Sequence, residues 1–149
     1  MQKFLNDEIK ITRCLNGVAA GTTEQAGTAV DMQGYDGVLF IGLFGALTAT
    51  QVTSMKAQQS SDAAAADAYA DIVGSKVGPF ADGDSNKCLV LDIQRPQERY
   101  VKPVVNRGTA NAVIDGVIAI QYTARSLPTA HAASVAFAEK HNAPAEGTA

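Results

Sequence analysis

Ten residues, Val38 to Leu47, read VLFIGLFGAL, and each is apolar or glycine. Few folds accommodate such a run. A helix needs roughly 20 apolar residues to cross a bilayer, about twice what is present. The β-branched and aromatic content and the two glycines favour a central strand over a helix. Gly42 and Gly45 mark a bulge or a close approach of backbone. A central strand needs neighbours on both edges, so the rest of the chain has to supply them.

The flanking sequence does so. Glu8 to Cys14 alternates, with Ile9, Ile11 and Arg13 pointing one way and Lys10, Thr12 and Cys14 the other. The stretch NGVAAGTTEQAGTA reads as a loop or irregular hairpin, and Ala29 to Met32 as a short strand closed by QGYDG. Gln51 to Gln59 places Thr53, Met55 and Ala57 on one face. Lys87 to Ile93 does the same with Leu89, Leu91 and Ile93. Arg99 to Asn106 sets Val101 and Val105 against Tyr100 and Val104. Ala112 to Thr123 is read with Ile114, Ile118, Ile120 and Tyr122 on one face and Asp115 and Gln121 on the other. The Ala-rich SSDAAAADAYADIVGS has helical propensity with Ser61 as a cap, while Tyr69 to Val73 competes as a strand. A loop with at most one or two helical turns is expected there.

About seven short strands with turn signals every 8–12 residues point to an all-β fold. The expectation is a single antiparallel β-sandwich or barrel-like domain over residues 1–125. After Arg125 the pattern stops. Residues 126–149 hold only Leu127, Val135 and Phe137 as larger apolar groups. They read as an extended C-terminal arm that cannot build a core of its own. Pro128 and Pro144 favour extended backbone, and the three apolar residues are spaced as anchors for a neighbouring subunit.

Charge and motifs narrow the function. Charged residues make up 18% of the chain and the net charge is −3, with no basic stripe, so no nucleic-acid partner is expected. No segment suits a membrane, and MQKFLNDEIKITR has no secretory h-region. Cys14 and Cys88 lack metal or redox spacing and read as two buried small hydrophobes in a chain folded in a reducing cytoplasm. Asp82 to Asn86, DGDSN, imitates the start of a calcium loop. Lys87 then stands where the sharp-turn glycine belongs and Ile93 where the bidentate glutamate belongs. His131 and His141 lie in the arm, where no rigid shell holds a general base. Asp115, inside an apolar strand, reads as a partly buried structural carboxylate. No catalytic residue, cofactor or metal site is therefore expected.

One polar segment stands out, Arg95-Pro-Gln-Glu-Arg99, between two core strands. Pro96 fixes its own φ and biases Arg95 away from helix, so a turn begins there. The flanking strands are expected to form a hairpin or two edges of the sandwich, and Pro103 to lie at a sheet edge or bulge. Arg95, Glu98, Arg99 and Lys102 are expected at one end of the fold. There they make a solvated turn or a patch whose arginines pair with carboxylates of a neighbouring subunit.

The same segment carries a resemblance. GYDGVLFIGLFGALTATQVTSMKAQQSSD, then ADGDSNKCLVLDIQRPQERYVKPVVNRGTANAVIDGVIAIQYTARSLP, resembles a family of small virion proteins of tailed bacteriophages and prophages. Its R-P-x-x-R-Y-V-x-P pattern falls here on Arg95, Pro96, Arg99, Tyr100, Val101 and Pro103. The match runs from about Gly34 to Pro128. It departs at SSDAAAADAYADIVG, where the family has a polar turn followed by a tryptophan-containing strand. The resemblance implies a virion protein made in the host cytoplasm. Its expected role is a head decoration (cement) protein that binds major capsid protein on the outer head surface, bridges neighbouring capsomers and touches copies of itself. Head-tail connector or tail-terminator ring subunits are similar in size and composition. A carbohydrate-binding sandwich fits less well, because the chain has no tryptophan and four tyrosines for stacking.

Overall fold

The computed structural model describes residues 4–64, 66–143 and 145–147. Its strands form two five-stranded antiparallel sheets packed face to face, a sandwich and not a closed barrel. Sheet A runs in the order β1 (Lys10–Leu15), β10 (Ala112–Ala124), β5 (Tyr35–Leu47), β8 (Cys88–Gln94), with β2 (Val18–Gly21) also on β10. Sheet B runs β3 (Gln25–Ala26), β9 (Tyr100–Asn106), β6 (Ser54–Ser60), β7 (Ala70–Asp71), with β4 (Val30–Asp31) also on β9. The strands β3, β4 and β7 are two residues long, too short to leave a periodic signal in the sequence.

The apolar run is the middle of β5, with β10 on one edge and β8 on the other. Val38, Phe40 and Phe44 face inward with Leu91 and Val117. They meet Val30, Met55, Ala57, Val101 and Val105 of sheet B. Phe80, from the segment between β7 and β8, closes one end with its ring edge-on to Phe44, centroids 4.9 Å apart. The inward faces read for the segments that became β6 and β8 hold: Met55 and Ala57 are fully buried, and Leu91 is the buried residue of β8.

β10 departs from its expected pattern. Its register slips on both sides of Ile114, and Gly116 adopts φ +153°. Ile114 points inward before the slip. Beyond it Val117, Ala119 and Gln121 are the inward residues, and Ile118, Ile120 and Tyr122 lie on the other face. Gln121 is therefore a core residue, 1% exposed, whose Nε2 donates to the Asp31 carbonyl (2.7 Å) and ties sheet A to sheet B. Asp115 is exposed, not partly buried.

Pro103 also sits elsewhere than expected. β9 is a central strand, yet Pro103 lies in the gap between its two short partners. β3 pairs with Val104 and Val105, and β4 with Tyr100 and Val101. No ladder bond needs a Pro103 N–H, and its carbonyl accepts from Gly27 N–H (2.8 Å). A Cβ on Gly27 would lie 2.8 Å from the proline ring, so glycine is required opposite it. The Ala-rich segment forms no helical turn among its described residues. Ser61 N–H and Oγ both donate to Asp67 (2.8 Å each), an alternative to helix that serine and aspartate offer backbone.

Arg107, after β9, clamps the irregular segment around β2 and β3. Its Nε donates to Thr23 O (2.7 Å), and its Nη1 donates to Ala19 O (2.9 Å) and Ala112 O (2.8 Å). Three carbonyls from two segments distant in sequence depend on one rigid fork of donors, which an ammonium cannot reproduce. Arg107→Lys is expected to lower unfolding stability by about 1–3 kcal/mol, measured by chemical denaturation with far-UV spectra unchanged.

Candidate interaction surfaces

The R-P-Q-E-R segment is neither a hairpin nor a link between two edges. It carries the chain from β8, an edge of sheet A, to β9 in the middle of sheet B. Arg95 takes a left-handed φ of +51°, pinned by its N–H donating to Asp36 O (2.7 Å). The amides of Gln97 and Glu98 both point at Gln59 Oε1. The turn borders a groove of about 470 Å³ at one end of the sandwich, walled by Arg95, Glu98, Arg99, Tyr35, Asp36 and Arg125.

The four charged residues expected to act together do not do so. Arg99 is already committed within the chain. Its Nε and Nη2 donate to the two oxygens of Asp31 (2.9 and 2.7 Å). That hydrogen-bonded guanidinium holds the Asp31 carboxyl below its ordinary value. Lys102 lies away from the groove, its Nζ 4.2 Å from the Tyr69 ring centroid. Arg95 and Glu98 line the groove and make no side-chain hydrogen bond or ion pair among the described residues. Arg125, absent from the sequence-based set, joins them and touches Asp36 through a single Nη2 contact of 3.2 Å. It is missed because it lies 30 residues downstream of Arg95, at the end of the strand two places across the sheet.

The described residues of the arm form no helix, and residues 129–135 dock on their own domain, where the sequence predicts an extended arm anchored on a neighbouring subunit. They track β1 in the parallel sense. Thr129 Oγ1 donates to Ile9 O (2.5 Å), Ile11 N–H donates to His131 Nδ1 (3.1 Å), Ala132 N–H to Ile11 O (3.1 Å), and Arg13 N–H to Ser134 Oγ (2.9 Å). Asn6 Oδ1 meets the other imidazole nitrogen, and Lys140 pairs with Asp7 (3.0 Å). Hydroxyl and imidazole groups thus satisfy an edge strand without regular strand periodicity. Of the three expected anchors, Val135 is half-buried, Leu127 is half-exposed and lines a pocket with Leu5, Ile9 and Tyr122, and Phe137 is 90% exposed. Pro144 lies outside the described residues.

The outer face of sheet A is the surface that sequence reading passed over. In register across the sheet stand Ile11, Ile120, Leu39 and Asp92, and beside them Arg13, Ile118, Ile41 and Val90. Leu43 and Val90 are 42% and 49% exposed, and Val135 of the arm borders a cavity of about 330 Å³ on this face. Tyr122 lies flat over Gly37, where any Cβ would collide with its ring, and donates to Asp92 (2.6 Å). Burial and that acceptor push the Tyr122 phenol up to about 12.

Among the described residues no three His, Cys, Asp or Glu side chains cluster as a metal site, and no helix is long and apolar enough to cross a membrane. In the DGDSN turn, Asp82 accepts Thr50 N–H and Asp84 accepts Ala81 N–H and Lys87 Nζ. Both cysteines are free. Cys14 is buried, its thiol pushed up to about 12 by desolvation, but Cys88 is exposed and not the buried hydrophobe expected. No family model and no curated protein matches the chain.

Two outcomes follow. The depressed Asp31 carboxyl contributes stability above its unfolded value, 3.8, and loses it as pH falls through the lower folded value. Because the pair is half-exposed, Asp31→Asn is expected to remove under about 1 kcal/mol at neutral pH and nothing once both carboxyl states are protonated, as read by denaturant midpoints across pH. His131 accepts Ile11 N–H at Nδ1, so His131→Ala is expected to speed hydrogen exchange of the Ile11 and Ala132 amides at a fixed pH while the amides of the β5–β10 ladder keep their protection, as read by NMR.

Proposed function

We propose that this chain is a structural virion protein, a decoration protein that binds the outer surface of a tailed-phage head and bridges neighbouring capsomers. The observation that carries the reading is the outer face of sheet A. A sheet of a sandwich ordinarily alternates apolar-in with polar-out. Here β5 and β10 present Leu39, Ile41, Leu43, Ile118 and Ile120 on the side away from the core, joined by Val90 of β8. Covering that face with a neighbouring protein removes about 25 cal/mol from the free energy for each Å² of apolar surface withdrawn from water. Contacts of modest strength, repeated over a lattice of capsid subunits, hold many copies in place. The low charged fraction and the RPQERYVKP resemblance support the same role, with major capsid protein and sister copies as partners. Synthesis would then take place in the host cytoplasm.

Leu43→Lys with Val90→Lys tests this. Both side chains are half-exposed, so the double variant is expected to melt within a few degrees of the parent while its occupancy on purified heads drops at least about tenfold. Unchanged occupancy would sink the proposal. Counting copies per particle separates the readings further: ~100 or more fits decoration, whereas about six to twelve would assign a connector or terminator ring instead.

A further inference from the structure

We infer that the groove at the β8–β9 corner is a binding site for a single carboxylate, held by Arg95 and Arg125. Three guanidiniums line this space of about 470 Å³, and the chain treats them differently. Arg99 is spent on Asp31 through two parallel hydrogen bonds. Arg125 uses one nitrogen on Asp36 at 3.2 Å and keeps its remaining donors. Arg95 makes no side-chain hydrogen bond or ion pair among the described residues, although its backbone is fixed by the Asp36 carbonyl on one side and Pro96 on the other. An unsatisfied fork on a fixed backbone, beside a second half-satisfied fork, matches the planar two-oxygen geometry of a carboxylate.

The walls also set the charge of the ligand. Arg95, Arg99 and Arg125 line the groove with Asp36 and Glu98. Arg99 is matched by Asp31 and Arg125 by Asp36, so Arg95 is the groove guanidinium with no ion-pair partner among the described residues, and Glu98 keeps the groove as a whole near neutral. A monoanion matches Arg95, whereas a phosphate dianion meets repulsion from Glu98 and Asp36. The carboxylate belongs either to a free organic acid or to an Asp or Glu side chain of another protein chain. This inference does not rest on the head-binding reading and is tested on the isolated protein.

The experiment is an NMR titration of the full chain, following the arginine Nε–H resonances. The probes are the blocked tripeptide Ac-Ala-Glu-Ala-NH2, its glutamine counterpart, acetate and inorganic phosphate at matched ionic strength. The glutamate peptide is expected to shift Arg95 and Arg125 saturably and to leave Arg99 nearly still. The glutamine peptide should do nothing, and phosphate should bind more weakly than either carboxylate. Arg95→Gln and, separately, Arg125→Gln are expected to raise the Kd about tenfold, the scale of one charge-assisted hydrogen bond. Both side chains are exposed, so the fold survives either change. Acetate binding as tightly as the peptide supports a free acid; tighter peptide binding supports a partner's side chain. Non-saturating shifts, equal response to the glutamine peptide, phosphate binding as tightly as carboxylate, or titrations unchanged in both variants would each overturn the assignment.

Discussion

The ladder between β5 and β10 is the joint on which the rest of the molecule hangs. Both strands are thirteen residues long, and together they form the centre of sheet A. Along the inner face, large residues meet small ones across the ladder. Phe40 stands opposite Ala119, and Val117 opposite Gly42. That alternation makes room for the aromatic rings at interior packing density. It exists only because β10 slips at Gly116. Had the alternation run on unbroken from Ile114, Ile118 and Ile120 would face Phe40 and Phe44, and the inner layer would be overfilled. The slip sends those isoleucines outward, which is also why the outer face is apolar.

Much of this was legible in the residues. An uninterrupted apolar run between turn signals becomes a central strand because its β-branched and aromatic residues and two glycines suit a strand with neighbours on both edges. The alternating segments around Met55 and Leu91 show their inward sides because no bulge interrupts them. The R-P step reads as a turn because proline's φ is a covalent constraint. What stayed hidden depends on partners distant in sequence. The slip in β10 is set by how it must fit β5, and a glycine among isoleucines does not announce on which side of it the phase changes. Pro103 looks like an edge residue until the gap between β3 and β4 is seen, and those strands are too short to leave a pattern.

The charged residues follow the same rule. Arg99 reads in the sequence as solvated or as paired with a neighbouring subunit's carboxylate, whereas within the fold it pairs with Asp31, 68 positions away on another strand. Arg125 was invisible as a groove residue for the same reason. Arg107 donates to three backbone carbonyls, and nothing in its immediate sequence signals them. Side chains that answer to tertiary structure are read from the sequence only as types, and their allegiance is decided by topology. The arm shows the converse. Its hydroxyls and imidazole looked like the composition of an unpacked tail, yet they are hydrogen-bonding groups suited to an edge strand without belonging to the sheet.

The pairing of β1 with β10 has a consequence in time. Lys10 lies beside Gln121 and Ile11 beside Ile120, so the earliest strand to leave the ribosome has its neighbour in the latest. At roughly 5–20 residues per second, β1 waits on the order of ten seconds before that neighbour exists. Sheet A cannot close until β10 has emerged, and the nascent chain carries an unpaired strand and the apolar run of β5 together for that interval. Folding is therefore a late, concerted event dominated by distant contacts, which places this domain among slow β-rich folders. Its yield in a cell is governed by what shields the unfinished chain as much as by the stability of the finished one.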